Sequence, residues 1–167
     1  KTYSVGHSTL VQVVPTYGGY PDPVLLETVQ DTLNVYQAVR NPAKAINPKY
    51  AHIDVSIRFD VLATGSWEST IKPVAEAIVN AYLSPLATFN SGRYYYTVWG
   101  KTLKLAELSY LLFSGLGGRY IGNLYIDTFC RHGESGASDI TLNYDEISNI
   151  GEVTLFDSEE ASLTLSS

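Results

Sequence analysis

One segment, residues 51–61 (AHIDVSIRFDV), constrains the fold of this chain more than any other. Its side chains alternate strictly: the odd positions from Ala51 to Val61 are apolar, and the even positions from His52 to Asp60 are polar. Successive side chains of a β-strand point to opposite faces of a sheet, so a period of two is the period of a strand. The sequence therefore predicts a strand with one solvated face and one buried face that other elements must cover.

Three segments show the apolar spacing of an amphipathic helix and can supply that cover. The first is predicted over residues 23–40, after an Asp22–Pro23 start that suits a helix N-terminus. The second follows Ser69, which is predicted to be its N-cap. The third begins near Leu105 and is predicted to end at the glycines of residues 115–118.

Shorter strands complete the predicted order of elements. They are expected at residues 8–17, 91–100, 120–126 and 152–156, whereas NPAKAINPKY (residues 41–50) is predicted to be a loop because two prolines punctuate it. The resulting order predicts an α+β fold with helices on one face of a mixed or antiparallel sheet. Its expected version is a ferredoxin-like, split β-α-β core. We expect one domain over residues 1–156 and a C-terminal arm or frayed tail over residues 157–167.

The charge and composition of the chain argue against several classes of protein. Eleven Lys and Arg against 17 Asp and Glu give a net charge of −6, which disfavours binding to nucleic acid or to anionic membranes. No run approaches the roughly 20 apolar residues that span a bilayer, and the lone Cys130 excludes an intrachain disulfide. Because the sequence contains no Met, we expect it to be a piece of a longer polypeptide.

Residues 100–126 (GKTLKLAELSYLLFSGLGGRYIGNLYI) hold the lysines, hydroxyl group and glycines of a phosphate-binding loop, but in the wrong order. A phosphate loop needs a strand, then glycines, then a helix whose N-terminal N–H groups face the anion. Here the predicted helix precedes the glycines and presents its negative C-terminal end. We interpret the segment as a helix-to-strand turn and expect no nucleotide site.

Cys130, His132 and Glu134 carry side chains that can bind metal, but a structural zinc site takes four ligands, usually in spaced pairs. An enzyme that uses a Cys130–His132 couple remains an alternative, and it requires a thiol of low pKa. Asp54 and Asp60 lie about 20 Å apart along one strand, too far for paired acid–base catalysis. The sequence thus predicts no metal, no cofactor and no catalytic constellation.

The segment RYYYTVW (residues 93–99) has the most unusual composition in the chain. Neighbouring tyrosines on a strand project from opposite faces, so they cannot all enter one core, and exposed rings favour contact with a protein partner. Stacking on single-stranded nucleic acid, as in an RNA-binding module, is the alternative use of such rings. The predicted interface residues are Trp67, Tyr94, Tyr95, Tyr96 and Trp99.

The order of these segments resembles a known family. PDPVLLETVQDTLNVY, AHIDVSIRFDV and STIKPVAEAIVNAYLSPL are followed by GKTLKLAELSYLL, GGRYIGNLYI and DEISNIGEVTLF. Over residues 8–156, this succession is similar to the C-terminal region of phage baseplate J-like proteins. The positions that carry the resemblance are Gly100, Gly118, Glu146, Ile147, Gly151 and Val153.

The resemblance implies a structural, non-enzymatic role in the wedge of a contractile-tail baseplate. The chain would reside in the virion, at the tail baseplate. Its partners would be copies of itself and other wedge and hub proteins, with no nucleic acid and no membrane involved. Another tail or neck adaptor protein with a similar α+β core is the nearest alternative.

Overall fold

The computed structural model describes residues 2–5, 8–16, 19–36, 42–62, 66–84, 88–90, 93–95 and 100–158. Three α-helices lie within these ranges: α1 (Pro23–Tyr36), α2 (Lys72–Leu83) and α3 (Leu105–Tyr120). The strands within them are β1 (Thr2–Val5), β2 (Ser8–Gln12), β3 (Ala43–Ile46), β4 (Lys49–Val61), β5 (Thr88–Asn90), β6 (Arg93–Tyr95), β7 (Thr102–Leu103), β8 (Ile121–Arg131), β9 (Ile140–Thr141) and β10 (Glu146–Asp157).

The alternating segment forms the middle strand of the central sheet, whose order is β10-β4-β8. Strand β4 runs parallel to β10 and antiparallel to β8. Its odd-numbered side chains from Ile53 to Phe59 are fully buried, whereas His52 on the other face is exposed. The strand prediction is therefore confirmed, including which of its faces is buried.

Helices α2 and α3 cover the buried face of this sheet and pack against each other. Val79 and Leu83 of α2 and Leu108 and Leu112 of α3 are fully buried in a single core with the odd-numbered residues of β4. The predicted α+β class, with helices on one face of a mixed sheet, is confirmed. Within that class the parallel strands β4 and β10 are direct neighbours, whereas a split β-α-β arrangement would place a third strand between them.

The start of α2 differs from the prediction. Residues Trp67–Ile71 form a single π-helical turn, in which the amides of Thr70 and Ile71 both donate to the Ser66 carbonyl. Ser69 therefore lies inside a helical turn and does not cap α2. The helical segment starts before Ser69, at Trp67, and Ile71 at the end of the π-turn is fully buried in the core.

The glycines at the end of α3 behave as predicted. Gly117 adopts a φ of 66° and a ψ of 162°, which breaks the regular helix three residues before Tyr120. Few residues other than glycine adopt this left-handed φ, so the glycine at this position allows the helix to break there. The chain then passes directly into β8 at Ile121, which is fully buried.

A second sheet lies at the N-terminal end of the chain, with the order β1-β2-β3. Its strand β3 occupies residues that the sequence predicts to be a loop, and it pairs in parallel with β2 from Thr9 to Gln12. That prediction is wrong because two prolines flank β3 without interrupting it. Gln30 of α1 completes the free edge of β3: its Oε1 accepts from the Ala45 amide at 2.8 Å, and its Nε2 donates to the Ala43 carbonyl at 3.0 Å.

Candidate functional site

Trp67 is the predicted interface residue whose side chain the structure describes. Its ring packs on the core, with its centroid 5.7 Å from that of Phe59, and it is half-buried. The remaining four interface residues belong to the tyrosine-rich segment. Tyr94 and Tyr95 lie on β6, which pairs antiparallel with β5 as a hairpin and covers three residues of the strand or hairpin arm predicted over residues 91–100. Tyr96 and Trp99 lie outside the described residues.

Helix α1 exposes three apolar side chains, one near its start and two at its end. No residue of this 14-residue helix is buried, and Val24, Val35 and Tyr36 are 71%, 75% and 84% exposed. We refer to these three residues as the α1 surface. Val24 and Val35 are eleven positions apart, which places them on the same side of the helix about 16 Å from each other. The signal was present in the sequence, since the helical spacing of α1 leaves both valines off the stripe that packs on β3.

A polar cluster on the open face of the central sheet centres on Asp54. Its Oδ2 lies 2.9 Å from Nδ1 of His132, and its Oδ1 accepts from the Glu152 amide at 2.8 Å. Although burial alone would raise it, these hydrogen bonds from Glu152 and His132 hold the pKa of Asp54 below its ordinary value. The carboxylate thereby joins three segments: β4, the turn after β8, and the middle of β10.

Gly151 is the residue that allows β10 to approach Asp54. The register of β10 against β4 shifts between Ile150 and Val153, so Gly151 lies within a β-bulge. A Cβ atom at this position would lie 2.8 Å from the Ile53 carbonyl oxygen and would collide with the Asp54 carboxylate. A close approach of two backbones thus accounts for the glycine.

A shallow cleft of about 290 Å³ opens beside this cluster. It is lined by His52, His132, Gly151 and Glu152. His52 and His132 are both exposed, as is Glu152, so the cleft is open to solvent. In the sequence, His132 is a candidate ligand only with Cys130 and Glu134, because His52 and Glu152 reach it through the pairing of β4 with β8 and β10.

The thiol of Cys130 does not have the character that a nucleophile needs. The residue is 6% exposed, and its Sγ donates to the Glu134 carbonyl at 3.3 Å. Burial, followed by the charges of Asp54 and Glu134, raises the pKa of the Cys130 thiol. An activated cysteine requires the opposite shift, so the burial and raised pKa of Cys130 count against the Cys130–His132 enzyme.

A second polar cluster is structural in character and centres on Glu146, which is 6% exposed. Its Oε2 accepts from Arg131 Nη2 at 2.7 Å and from the Asn143 amide at 2.9 Å, and Lys49 Nζ lies 3.6 Å from its Oε1. The hydrogen bond from Arg131 is the main reason why the pKa of Glu146 falls to about 2. This carboxylate holds the turn before β10 against the neighbouring strands.

Across the described ranges, no group of three or more His, Cys, Asp and Glu side chains converges closely enough to hold a metal ion. Among the helices in those ranges, none combines the length and apolar character that crossing a bilayer takes.

Comparison of the sequence with known proteins adds no further constraint: no family model matches it, and no curated protein matches it significantly.

Proposed function

We propose that this chain is a structural, non-enzymatic component of a phage tail baseplate wedge, and that it works by assembling with copies of itself and with other wedge and hub proteins around the tail hub. Its location would be the tail baseplate of the virion. The α1 surface is the observation that carries the proposal, because exposed apolar side chains of this kind favour contact with another protein.

Among the described residues, one helix packs on the N-terminal sheet, whereas two cover the central sheet. Helix α1 packs on β3 with half-buried side chains such as Leu26, Val29 and Leu33, and its opposite side presents Val24 and Val35 to solvent. Tyr36 is exposed at the C-terminal end of the helix, on the side of Val29. Burying an aliphatic or aromatic side chain contributes on the order of 1.5–3 kcal/mol. A second copy of the chain is the occupant that we assign to this surface, since a ring of wedges requires each copy to contact the next.

The residues behind the resemblance to J-like proteins also support a structural role. Glu146 fixes the turn before β10, Ile147 is 2% exposed in the sheet, and Gly151 allows the bulge over Asp54. Gly100 has a φ of 65°, and a Cβ there would lie 2.9 Å from Cα of Tyr144. These four of the six positions serve backbone geometry or packing, whereas Gly118 has neither a positive φ nor a close neighbour.

The assembly step is tested by substituting two exposed tyrosines that differ in location. Tyr36 belongs to the α1 surface, and Tyr110 of α3, which is 67% exposed, is the matched control. Sedimentation velocity over a range of protein concentrations would measure self-association of the wild type, Tyr36→Ser and Tyr110→Ser. We expect Tyr36→Ser to weaken self-association by about tenfold or more, as truncation of an interface aromatic does, and Tyr110→Ser to leave it unchanged. Equal association constants in all three proteins would rule out the α1 surface as the contact.

The location in the particle is tested by immunogold labelling of purified virions with antiserum against this chain. Gold at the tail end distal to the capsid is the expected result. Gold at the neck would instead assign the chain to an adaptor, and the absence of labelled particles would contradict a virion role.

A further inference from the structure

Two histidines lie directly opposite each other on the open face of the central sheet. The pairing of β4 with β8 joins Ile53 to Arg131 and Asp54 to Cys130, so the next pair in the same register is His52 and His132. The His132 amide donates to the His52 carbonyl at 2.8 Å, which continues the ladder by one residue. Opposite residues of an antiparallel pair share a face, with Cβ atoms about 4.5–5.5 Å apart.

The hydrogen bonds of the two rings fix the same tautomer in both. Nδ1 of His52 lies 3.3 Å from the Ile150 carbonyl oxygen, and Nδ1 of His132 lies 2.9 Å from the Asp54 carboxylate. Both partners are acceptors only, so each Nδ1 must carry the proton. In the neutral imidazole, Nε2 then holds a lone pair that is available to a ligand.

The hydrogen bonds of the two Nδ1 atoms follow the pattern that metal-binding histidines show. Such residues donate their second ring N–H to a carboxylate or a backbone carbonyl, which fixes the ring and makes the ligating nitrogen more basic. Here one histidine uses a carboxylate and the other a carbonyl. Both rings line the 290 Å³ cleft, and the acidic Glu152 lines it with them.

We propose that His52 and His132 form a two-imidazole site for a divalent transition-metal ion such as Zn²⁺, bound through the two Nε2 atoms. Imidazole suits Zn²⁺, Ni²⁺ and Cu²⁺, whereas Mg²⁺ and Ca²⁺ prefer oxygen ligands. No third acidic, thiol or imidazole group converges on the site among the described residues. Water molecules therefore complete the coordination, and Glu152 contributes negative charge at the cleft.

The site is tested first on the unmodified protein by NMR, using Ni²⁺ as a paramagnetic probe. The sequence contains three histidines, and His7 is the internal control. We expect the ring C–H resonances of His52 and His132 to broaden at the lowest Ni²⁺ concentrations, and those of His7 to broaden only later. Simultaneous broadening of all three, or broadening of His7 alone, would overturn the proposal.

Isothermal titration with Zn²⁺ then tests the ligands one by one. His52→Ala and His132→Ala should each weaken Zn²⁺ binding by more than about tenfold, and His7→Ala should bind as tightly as the wild type. Glu152→Gln should cause a smaller loss than either ligand variant, because the carboxylate acts only through its charge. Undetectable Zn²⁺ binding by the wild type, or unchanged binding in both ligand variants, would exclude the site.

Discussion

The two three-stranded sheets among the described residues differ in how completely helices cover them. The central sheet carries two helices on its apolar face, and the fully buried side chains of β4, α2 and α3 form one continuous core. Among the described residues, α1 is the helix that packs on the N-terminal sheet, and no side chain of that helix is buried. Among the described residues, the central region has a core of fully buried apolar side chains, whereas α1 contributes no buried side chain.

The difference between the two regions indicates which of them provides stability and which provides a surface for binding. A region with a closed core holds its shape alone, since burial of apolar surface is the dominant stabilising term in folding. A region with a half-covered helix retains apolar surface that a partner can bury, and it opens at lower free energy. We therefore expect the central region to set stability and the N-terminal region to set assembly.

The largest predicted effect contrasts one leucine from each region. Leu112 of α3 is fully buried, whereas Leu26 of α1 is half-buried. Leu112→Ala should reduce the free energy of unfolding by about 3–5 kcal/mol, because it removes core contacts and leaves a cavity. Leu26→Ala should cost less than half as much, as judged by urea denaturation of both variants. Similar losses in the two variants would mean that α1 is as tightly packed as the core.

Much of the central region could be predicted because its signals are local. The alternation of apolar and polar residues from Ala51 to Val61 predicts strand β4. The glycines of residues 115–118 predict the break at the end of α3. The strand β3 could not be predicted, because its partner β2 is distant in sequence and its flanking prolines are typical of a loop. The hydroxyl of Ser69 likewise predicts the N-cap of α2 at that residue. In the structure the helical segment starts at Trp67, and Ile71 packs in the core.

The polar cleft could not be predicted for the same physical reason. Asp54 and His132 are 78 positions apart, and Asp54 and Glu152 are 98 apart. Their meeting depends on the registers of β4 with β8 and with β10, including a bulge at Gly151. A one-residue slip in either pairing would separate these groups, and no single-sequence pattern specifies that register.

The second-largest predicted effect is the dependence of folding stability on pH that Glu146 causes in the central region. Its pKa is about 2 in the folded protein and 4.5 in an unperturbed glutamate, so folding favours the ionised form. Its stabilising contribution is therefore complete above about pH 4.5 and is lost as the pH falls toward 2. Glu146→Gln should destabilise the protein at neutral pH by about 1.5–3 kcal/mol, since it breaks a charged hydrogen bond with Arg131.

The test is to measure the unfolding free energies of the wild type and of Glu146→Gln at pH 7 and at about pH 3. The difference in unfolding free energy between the wild type and Glu146→Gln should be smaller at the lower pH. Glu76→Gln, at an exposed position of α2, is the control and should change neither value. A gap of constant size would show that the carboxylate charge does not stabilise the fold.

The smallest effect tests whether the N-terminal region opens independently of the core. Gln30→Ala removes the two hydrogen bonds to the edge of β3, at a cost of about 1 kcal/mol. Hydrogen exchange at the Ala45 amide should accelerate about fivefold or more, while exchange at Ile57 in the core should not change. Glu27→Ala, on an exposed position of the same helix, controls for altered helix propensity. If Ile57 accelerates as much as Ala45, the two sheets unfold as one unit, and the α1 surface cannot be treated as a separable site of assembly.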